Sequence, residues 1–554
     1  MPMKLLLGDG GVAQAAIDAG IGGAFSYPGT PATEIFEYIA DRAREAGDDD
    51  HAEAAGISAH WSANEKVAYE EALGMSYAGR RAIVSMKHVG LNVAADPFVN
   101  SALTGINAGL VLAVADDPGM HSSQNEQDSR YYGDFAQIPV FEPATQQEAY
   151  DFTLRAFEYS EEVGLPVMVR LVTRLSHSRA NVRMRNGANG GEKPVVEQRP
   201  RPTGNSWTLV PSIARTRYAA LVEAQRRLHE DAQKSPMNKL TLAGRRGVIA
   251  CGIAHNYLLE AKSMSDGGGG PGDLSILKIG HYPVPTSLVR DLVAHCDDIL
   301  IAEDGYPFVE KKLLGVLGVP GKRIRGRLSG DLPATGELSP DLLATALGLP
   351  ARATRSHDDL AARPPQLCRG CPHIDSFKAI VDATSGAAPF LFSDIGCYTL
   401  GVMPPYRAVH SCVDMGSSIA MAHGAARAGA HPVLCTIGDS TFAHSGMTPL
   451  IGAAQQDANM TVVILDNSTT AMTGAQGSLT TGQRLIDVVR GLGVKPEHLH
   501  VIDPHPSKHA ENVAIITKAV AHRGLSVIIS DRECIHLKVK TKAEATAAHV
   551  APSA

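Results

Sequence analysis

Two polar segments in the last third of the sequence could together bind a metal ion. Gly438-Asp439-Ser440 follows the apolar run Pro432–Ile437. Asn467 follows the apolar run Met460–Leu465 and lies 29 positions beyond Gly438 (467 − 438). Ligands of parallel sheets bind at the carboxyl ends of strands, a carboxylate and an amide oxygen suit Mg²⁺, and a glycine lets the backbone approach a diphosphate. Each segment alone is equally typical of a simple turn, so the prediction depends on the pair.

Four cysteines in the same part of the chain have a spacing that could hold a metal centre. Cys368 and Cys371 form a C-x₂-C pair, Cys397 follows in Asp394-Ile-Gly-Cys, and Cys534 completes the set. Four thiolates suit a 4Fe–4S cluster or a structural zinc ion, and spacing alone separates neither of these from an uncoordinated set. The other cysteines are interpreted as core residues because they lie in or beside apolar segments; they are Cys251, Cys296, Cys412 and Cys435.

The first third of the chain carries candidate catalytic residues of a different kind. Glu65 lies in Trp61-Ser-Ala-Asn-Glu-Lys-Val-Ala68, and Lys87 and His88 follow the apolar run Ala82–Met86. Lys87 and His88 could bind an anionic substrate or polarise its carbonyl group. A surface lysine and a packed histidine are the alternative for this pair. A glutamate on an amphipathic helix is usually solvated, as we expect for Glu70 and Glu71.

Three segments alternate short apolar runs with helical patterns, and this alternation predicts parallel α/β domains. Each apolar run is continuous, as expected for a strand in a sheet that is covered on both faces. The predicted strands are Gly23–Tyr27, Ala82–Met86, Gly109–Ala115 and Pro166–Leu171 in the first segment, Arg246–Cys251, Leu274–Lys278 and Asp298–Ala302 in the second, and Pro432–Ile437, Met460–Leu465 and Ser526–Ser530 in the third. A helix is predicted over Ser62–Ala78, and Gly267–Gly270 is interpreted as a surface loop.

Polar stretches rich in Gly, Asn, Arg and Pro separate these segments and give the predicted domain boundaries. The predicted divisions are a first domain over residues 1–180, a linker region over 181–238, a second domain over 239–350, a linker over 351–366, a third domain with the cysteines over 367–545, and a tail over 546–554.

The extended motifs resemble those of the indolepyruvate:ferredoxin oxidoreductase alpha subunit family, a thiamine-diphosphate-dependent group of 2-oxoacid:acceptor oxidoreductases. The matching segments are Tyr27-Pro-Gly-Thr-Pro31, Asn64-Glu-Lys-Val-Ala68, Ser85-Met-Lys-His-Val-Gly-Leu-Asn-Val-Ala94, Gly438-Asp-Ser-Thr-Phe-Ala-His-Ser-Gly446 and Leu465-Asp-Asn-Ser-Thr-Thr-Ala-Met-Thr-Gly474. The resemblance implies a multi-domain α/β thiamine-diphosphate-binding fold. In it, residues 1–180 are the pyrimidine-binding type of parallel-sheet domain, residues 367–545 are the diphosphate-binding type, and a transketolase C-terminal-like domain lies between them.

The resemblance also implies roles for individual residues. Glu65 would hydrogen-bond the aminopyrimidine ring of thiamine diphosphate, with Thr30, Lys87 and His88 as further catalytic residues. The implied Mg²⁺ ligands are Asp439, Asn467 and the Thr469 main chain, and the implied 4Fe–4S ligands are Cys368, Cys371, Cys397 and Cys534. The residues implied to bind the cofactor are Asp414, Gly416, Ser417, Gly438, Asp439, Ser440, Asn467, Thr469 and Met472. These roles require Glu65 and the Gly438-Asp-Ser turn to face one another across one cleft, within one chain or between two.

The implied reaction is the oxidative decarboxylation of an aryl 2-oxoacid, such as indolepyruvate or phenylpyruvate, to CO₂ and an acyl-coenzyme A. Its electrons would pass one at a time to the 4Fe–4S cluster. The implied partners are a smaller gamma-type subunit and ferredoxin or another electron-transfer subunit, in a hetero-oligomer that contains a dimer of this chain. Two alternatives stay open: a non-oxidative thiamine-dependent 2-oxoacid decarboxylase and a non-catalytic thiamine-binding subunit.

Composition and the two chain ends add three expectations. The net charge of −7 and the lack of a long basic run argue against a nucleic-acid partner. The apolar run at the N-terminus is too short for a signal peptide, and no stretch approaches the roughly 18 apolar residues of a membrane span, so we expect a cytoplasmic protein. Many members of the family continue into a ferredoxin module, whereas the 20 residues after Cys534 (554 − 534) contain no cysteine. We therefore expect either that the distal electron carriers are on another subunit or that a soluble acceptor docks near the cysteine site.

Overall fold

The computed structural model describes residues 2–45, 56–185, 198–200, 207–264, 274–351 and 365–537 of the 554-residue chain. The chain divides into two compact units, Met1–Ser356 and His357–Ala554, and each unit has its own sheets and its own apolar core. The predicted loop Gly267–Gly270, most of the predicted linker 351–366 and the predicted tail 546–554 lie outside the described residues.

The first unit begins with a seven-stranded sheet that has six parallel strands. Its order is β12-β6-β7-β5-β4-β2-β3, and only the edge strand β12 runs antiparallel to its neighbour. The elements of this part are β1 (Met3–Leu7), α1 (Gly8–Asp18), β2 (Gly23–Ser26), α2 (Thr33–Glu45), β3 (Ser58–Trp61), α3 (Glu65–Tyr77), β4 (Ala82–Lys87), α4 (His88–Val93), α5 (Ala95–Thr104), β5 (Leu110–Asp116), α6 (Arg130–Ala136), β6 (Val140–Phe141), α7 (Gln146–Val163), β7 (Val167–Val172), α8 (Thr173–His177) and β8 (Arg179–Arg183). The strand β12 (His281–Tyr282) comes from later in the chain.

This sheet has a topological switch point between β2 and β4. The connection that leaves β2 leads to the edge strand β3, whereas the connection that leaves β4 leads in the opposite direction to β5. Connections that diverge in this way open a crevice at the carboxyl ends of the two strands, where ligands of open α/β sheets bind. The segments that follow β2 and β4 carry Thr30, Lys87 and His88.

The second half of the first unit has a five-stranded sheet in the order β14-β13-β10-β11-β9, with β9 antiparallel. Its elements are α9 (Pro211–Lys234), β9 (Lys239–Thr241), β10 (Arg246–Cys251), α10 (Ile253–Ser263), β11 (Leu274–Ile279), β12, α11 (Thr286–His295), β13 (Asp298–Ala302), α12 (Phe308–Leu314), β14 (Arg323–Arg325) and α13 (Pro340–Leu347). The 24-residue helix α9 occupies much of the segment that was predicted as a linker region. Only three of its residues, Leu221, Leu228 and Ala232, are buried, which explains why its pattern is mostly polar.

The second unit contains a six-stranded, entirely parallel sheet in the order β16-β15-β17-β18-β22-β21. Its elements are α14 (Pro372–Ala383), β15 (Phe390–Ser393), β16 (Ser411–Cys412), α15 (Ser417–Arg427), β17 (Val433–Gly438), α16 (Asp439–Thr441), α17 (Met447–Gln455), β18 (Met460–Asp466), β19 (Thr469–Thr470), β20 (Gln476–Gly477), α18 (Gly482–Gly491), β21 (Leu499–Ile502), α19 (His509–Ala521) and β22 (Leu525–Asp531). A switch point lies between β15 and β17, because β15 leads outward to β16 and β17 leads the other way to β18.

The predicted strands are confirmed, with bounds that differ by no more than a residue or two. Arg246–Cys251 and Asp298–Ala302 match β10 and β13 residue for residue, and the helix predicted over Ser62–Ala78 is α3. The short edge strands were not predicted, among them β1 and β8, which pair antiparallel. In the part of the chain that the structure describes, no helix has the length and hydropathy to cross a membrane.

Candidate active site

Glu65 is a buried carboxylate at the start of helix α3 in the first unit. Asn64 caps this helix, and its side chain accepts a hydrogen bond from the Val67 main chain at 2.9 Å. The cap fixes where the helix starts, which places Glu65 in the first turn with only 4% of its surface exposed. Glu70, on the same helix, is exposed and pairs with Lys66. Glu71 differs from the expectation of a solvated residue, because it is half-buried and accepts a hydrogen bond from Ser62.

Gly90 of helix α4 packs directly against the Glu65 side chain. A Cβ atom at position 90 would lie 2.6 Å from both Cγ and Oε1 of Glu65, which is closer than real contacts allow. Position 90 therefore accepts only glycine while Glu65 holds its present orientation. Helix α4 directly follows strand β4. The contact between Gly90 and Glu65 therefore joins the carboxyl end of β4 to the first turn of α3.

Lys87 and His88 lie beside the segment that carries Thr30. The position of a Cβ at Gly29 is 3.3 Å from Lys87 Cγ, and Lys87 Nζ donates to the Ser122 main-chain oxygen at 3.2 Å. Burial lowers the pKa of Lys87, although Asp117 and Glu65 act to raise it. The effect of Glu65 on this pKa indicates that the two side chains are near one another.

His88 is 1% exposed, and its Nε2 contacts the Asn125 side-chain oxygen at 3.1 Å. Its Nδ1 is buried and has no partner within the described residues. His88 is therefore buried, and one of its two ring nitrogens makes no hydrogen bond within the described residues. The structure brings Thr30, Lys87, His88 and Glu65 to one end of the first sheet, at the switch point between β2 and β4.

A buried ion-pair network anchors the loop over residues 117–129, which contacts Lys87 and His88. Arg170 binds Asp116 at 2.7 Å, Arg130 binds Glu303 at 2.9 Å, and both arginines are fully buried. Asp117 and Thr173 extend the anchor, because the Asp117 carboxylate accepts hydrogen bonds from Thr173, Ser122 and Ser123. Burial opposes these hydrogen bonds, but together they lower the pKa of Asp117. The network holds the segment that contacts Lys87 and His88, and no motif in the sequence predicted it.

In the second unit, Asp439 and Asn467 lie at the ends of the neighbouring strands β17 and β18. The parallel register pairs Gly438 with Leu465, so both side chains emerge at the same edge of the sheet. Asp439 is 2% exposed, and its Oδ2 has no partner within the described residues. Burial and the nearby Asp466 raise the pKa of Asp439 to about 8. A buried carboxylate with an unused oxygen is the kind of ligand that a divalent cation would stabilise.

The turn after β18 is held to the turn after β17 by side-chain hydrogen bonds. Thr470 Oγ1 donates to Ser440 Oγ at 2.8 Å, and Thr480 Oγ1 donates to the Asp439 main-chain oxygen at 3.3 Å. Asn467 Oδ1 accepts from the Thr469 main chain at 3.2 Å. The residues predicted as Mg²⁺ ligands are thus brought together, and an aspartate, an asparagine and a main-chain carbonyl fit a hard cation.

Gly438 has a reason to be glycine besides the predicted close approach of a diphosphate. The Tyr398 ring packs beneath it, and a Cβ atom at position 438 would lie 2.7 Å from Tyr398 Cε1. Gly416 is also constrained, because its φ of 94° is unfavourable for other residues and a Cβ would lie 2.4 Å from Ser445 Cβ. Two predicted cofactor residues are open to solvent: Asp414 is exposed, and Met472 is 61% exposed.

Asp394, the first residue of the motif Asp394-Ile-Gly-Cys, is a buried carboxylate for which the sequence predicted no role. It follows β15 at the switch point and is fully buried. Its carboxylate accepts hydrogen bonds from the Ser418 main chain at 2.9 Å and from the Ser417 hydroxyl at 3.3 Å, at the start of helix α15. Burial raises the pKa of Asp394 to about 6, against these hydrogen bonds. Its position directly after a buried strand was the available signal.

The four predicted cluster cysteines lie close together in the second unit. Burial raises the pKa of Cys397 to about 12, and the other three cysteines of the set act in the same direction. Cys371 and Cys534 are buried, whereas Cys368 is exposed with its sulfur 3.3 Å from His536 Nε2. The positions of these cysteines in the sequence did not show that they lie close together. Their proximity is a feature of the fold.

Asn467, a predicted Mg²⁺ ligand, has two direct contacts with the region of the cysteines. The main-chain N–H of Cys534 donates to the Asn467 main-chain oxygen at 3.0 Å. His373, two positions after Cys371, places Nε2 3.4 Å from Asn467 Nδ2, and burial lowers its pKa to about 4. The cysteines and the predicted Mg²⁺ ligands therefore lie in one region of the second unit.

Two family models of thiamine-binding domains match the chain, one in each unit. The family model described as "Pyruvate flavodoxin/ferredoxin oxidoreductase, thiamine diP-bdg" matches residues 14–240. The model described as "Thiamine pyrophosphate enzyme, C-terminal TPP binding domain" matches residues 394–530. A solved structure of 2-oxoglutarate:ferredoxin oxidoreductase from Magnetococcus marinus has 13% sequence identity and a TM-score of 0.49, and it covers 62% of this chain and 65% of its own.

Two curated relatives resemble the chain over almost its whole length. The "Indolepyruvate oxidoreductase subunit IorA" of Archaeoglobus fulgidus is 38% identical over 96% of this chain and 86% of the relative. The protein of the same name from Methanothermobacter thermautotrophicus is 37% identical over the same shares of the two chains. The fold and the two family models define an α/β thiamine-pyrophosphate enzyme subunit. More narrowly, the chain belongs to the family of the indolepyruvate oxidoreductase subunit IorA.

Proposed function

We propose that this chain is the catalytic subunit of a 2-oxoacid:ferredoxin oxidoreductase that converts an aryl 2-oxoacid and coenzyme A to CO₂ and an acyl-coenzyme A. Two electrons leave in the reaction, one at a time, through a 4Fe–4S cluster. The observation that carries the proposal is Glu65, a buried carboxylate whose side chain fills the space that the absent side chain of Gly90 leaves free. The names of the curated relatives support an aryl substrate such as indolepyruvate.

Glu65 is the residue that would activate the cofactor. Thiamine diphosphate supplies a nucleophilic carbon and takes up the charge that is left when CO₂ departs. Glu65 would accept a hydrogen bond from the aminopyrimidine ring or share a proton with it, and its burial excludes competing water. Because Gly90 has no side chain, it leaves the space that the buried Glu65 carboxylate occupies, and any larger residue there would displace that carboxylate.

Lys87 and His88 would bind the substrate beside Glu65. The half-buried Lys87 provides a cation for the carboxylate of a 2-oxoacid, and the effect of Glu65 on its pKa indicates that the two are close. His88 Nδ1 is buried without a partner, and it would be available to accept a hydrogen bond from the ligand, because Nε2 faces the two Asn125 oxygens and carries the ring proton. Thr30 lies next to Lys87 and would contact the same ligand.

In the second unit, Asp439, Asn467 and the Thr469 main chain would hold Mg²⁺ against the cofactor diphosphate. The unused oxygen of Asp439 fits a cation ligand. Asp394 would position the segment Asp414–Ser417 by fixing the start of α15. Asp414 and Met472 would then be covered by the cofactor or by a partner subunit, since both are open to solvent in this chain.

The requirement for a one-electron acceptor supports a 4Fe–4S cluster rather than a single zinc ion at the four cysteines. Four thiolates suit either centre, but zinc has no redox chemistry, whereas a 4Fe–4S cluster accepts electrons one at a time.

The test is a Glu65→Gln variant in the anaerobically purified complex with its partner subunits. We expect at least a 100-fold fall, on the order of general acid–base effects, in 2-oxoacid-dependent and coenzyme-A-dependent reduction of a viologen dye. Thiamine diphosphate content should stay at the wild-type level, because the diphosphate is bound in the second unit. A panel of aryl and alkyl 2-oxoacids measured with the wild-type complex tests the substrate class.

Glu70→Gln is the matched control. It makes the same chemical change one helical turn further along α3, at an exposed residue that pairs only with Lys66. Full activity is expected for this variant. If Glu65→Gln kept more than half of the wild-type activity with bound cofactor, Glu65 would not be the activating residue and the proposed chemistry would fail.

A further inference from the structure

Three potential metal ligands converge in the first unit, outside the residues that are assigned to the reaction. Asp9 lies in the first turn of α1, Glu34 in the first turn of α2, and His177 at the end of α8. One carboxylate oxygen from each acid and one ring nitrogen of His177 all lie within 4.8 Å of one another. His177 Nε2 is 3.4 Å from Glu34 Oε1, close to the separation of two ligands on one cation.

The polar atoms around this point are left unsatisfied. Asp9 is fully buried, and neither of its carboxylate oxygens has a hydrogen-bond partner within the described residues. The same holds for Glu34 Oε2 and for the hydroxyl of Ser176, which is also fully buried. The Ser176 hydroxyl lies near Asp9, but no hydrogen bond of good geometry joins the two. Four orphaned oxygen atoms at one buried point are unusual, because each costs free energy unless a ligand binds it.

The two acids and the histidine of this cluster affect one another's pKa values. Burial raises the pKa of Asp9 to about 8, and Glu34 acts in the same direction. Hydrogen bonding to Glu34 raises the pKa of His177. His177 is at the surface, which gives a cation a route to the buried Asp9.

We propose that Asp9, Glu34 and His177 form a binding site for a zinc-like divalent transition-metal cation. An imidazole nitrogen with two carboxylate oxygens suits such ions at about 2.0–2.2 Å and suits Mg²⁺ poorly. The cation would join α1, α2 and α8. Because α2 begins three residues after Thr30, the bound ion would also steady the segment that carries Thr30. This proposal does not depend on the proposed function.

The test uses Co²⁺ and Zn²⁺ as probes on the anaerobically purified complex, with the cysteine site already loaded with iron. Cobalt bound by nitrogen and oxygen ligands has weak visible d–d absorption, without the intense charge-transfer bands of thiolate ligands. We expect one saturable Co²⁺ site of this kind and a rise in the unfolding temperature with Zn²⁺. Asp9→Asn and His177→Gln should each weaken the binding of both ions by at least about tenfold.

His509→Gln is the matched control, because His509 pairs with Asp382 at 2.8 Å on the surface of the second unit and has no third ligand. It should bind Co²⁺ like the wild type. If Asp9→Asn fails to fold, His177→Gln decides, since His177 is a surface residue. The proposal is overturned if the wild type shows no such site, or if His177→Gln binds Co²⁺ as tightly as the wild type. A shared proton between Asp9 and Glu34 would then explain the cluster.

Discussion

At the scale of single residues, the carboxylates to which we assign roles in the reaction are all buried. Glu65, Asp394 and Asp439 are all at most 4% exposed, whereas Glu70 is on the surface. The sequence identified Glu65 and Asp439 through the motifs around them. It gave no role to Asp394, because a single aspartate after an apolar run has no pattern that separates a positioning role from a turn.

The cysteine set makes a prediction at the same scale. Cys371→Ala should lower the iron and the acid-labile sulfide of the anaerobically purified complex by about four atoms of each per chain, the content of one 4Fe–4S cluster, because the cluster needs four thiolate ligands. Dye reduction with the 2-oxoacid should fall in parallel. Iron and sulfide analysis with visible absorption spectroscopy checks this, and thiamine diphosphate content checks that the fold is intact.

Cys412→Ala is the control for this prediction. Cys412 is a half-buried cysteine of the same unit that contacts Thr399 at 3.8 Å and is not in the set of four. Its variant should keep the wild-type iron content. Zinc in place of iron in the wild-type complex would contradict the cluster and would favour the non-oxidative decarboxylase.

At the scale of elements, the contact between helices α3 and α4 determines the position of Glu65. Gly90→Ala should lower activity by at least tenfold without unfolding the protein, because a methyl group 2.6 Å from Glu65 must displace that side chain. Overpacking of this kind typically costs about 1–3 kcal/mol of stability. Dye-reduction kinetics measured together with thermal unfolding separates the effect on activity from the effect on stability.

Gly74→Ala on helix α3 is the matched substitution, since a Cβ atom there meets nothing within 4 Å. Full activity and equal or slightly higher stability are expected, because alanine favours a helix over glycine by up to about 1 kcal/mol. Equal losses of activity in the two variants would mean that the Gly90 contact does not orient Glu65.

The same scale shows which elements a sequence can predict. The long apolar strands β5, β17 and β18 are buried on every residue, and their continuous hydrophobic runs predicted them with bounds within a residue. The two-residue strands β6, β12 and β16 were missed, because a strand of this length is defined by its neighbour and not by its own residues. Helix α9 was missed for a related reason: its polar face is wide, and only three residues are buried.

At the scale of the whole molecule, the first unit is held together by buried charges as well as by its core. Arg130 and Arg170 are fully buried and bind Asp116, Asp128, Glu142 and Glu303. Glu303 directly follows β13 of the five-stranded sheet, and Asp116 is the last residue of β5 in the seven-stranded sheet, so the network joins these two sheets of the unit. Such long-range pairing could not be predicted from one sequence, because the partners lie up to 173 positions apart.

Buried histidines give the first unit a stability that depends on pH. His281 is 3% exposed and packs edge-on against Phe141, with ring centroids 4.6 Å apart. Burial lowers its pKa to about 3, and Arg155 acts in the same direction. The pKa of a histidine in the unfolded chain is near 6.5. Between about pH 3 and pH 6.5, therefore, His281 binds a proton in the unfolded state but not in the folded state. The stability that neutral His281 contributes is therefore fully present above about pH 6.5 and is lost as the pH falls toward 3.

Replacing His281 with phenylalanine should remove this dependence while keeping the ring packing. Between pH 7 and pH 5 the wild type should lose about 2 kcal/mol more than His281→Phe, or about 3 °C in the unfolding temperature of a unit of this size. Buried carboxyl groups such as Asp9, whose pKa is raised, have the opposite sign but act equally in both proteins. Calorimetry at both pH values measures the difference. His60→Phe, at an exposed histidine of the same unit, should follow the wild type, and a His281→Phe curve parallel to the wild type would show that His281 protonates freely in the folded state.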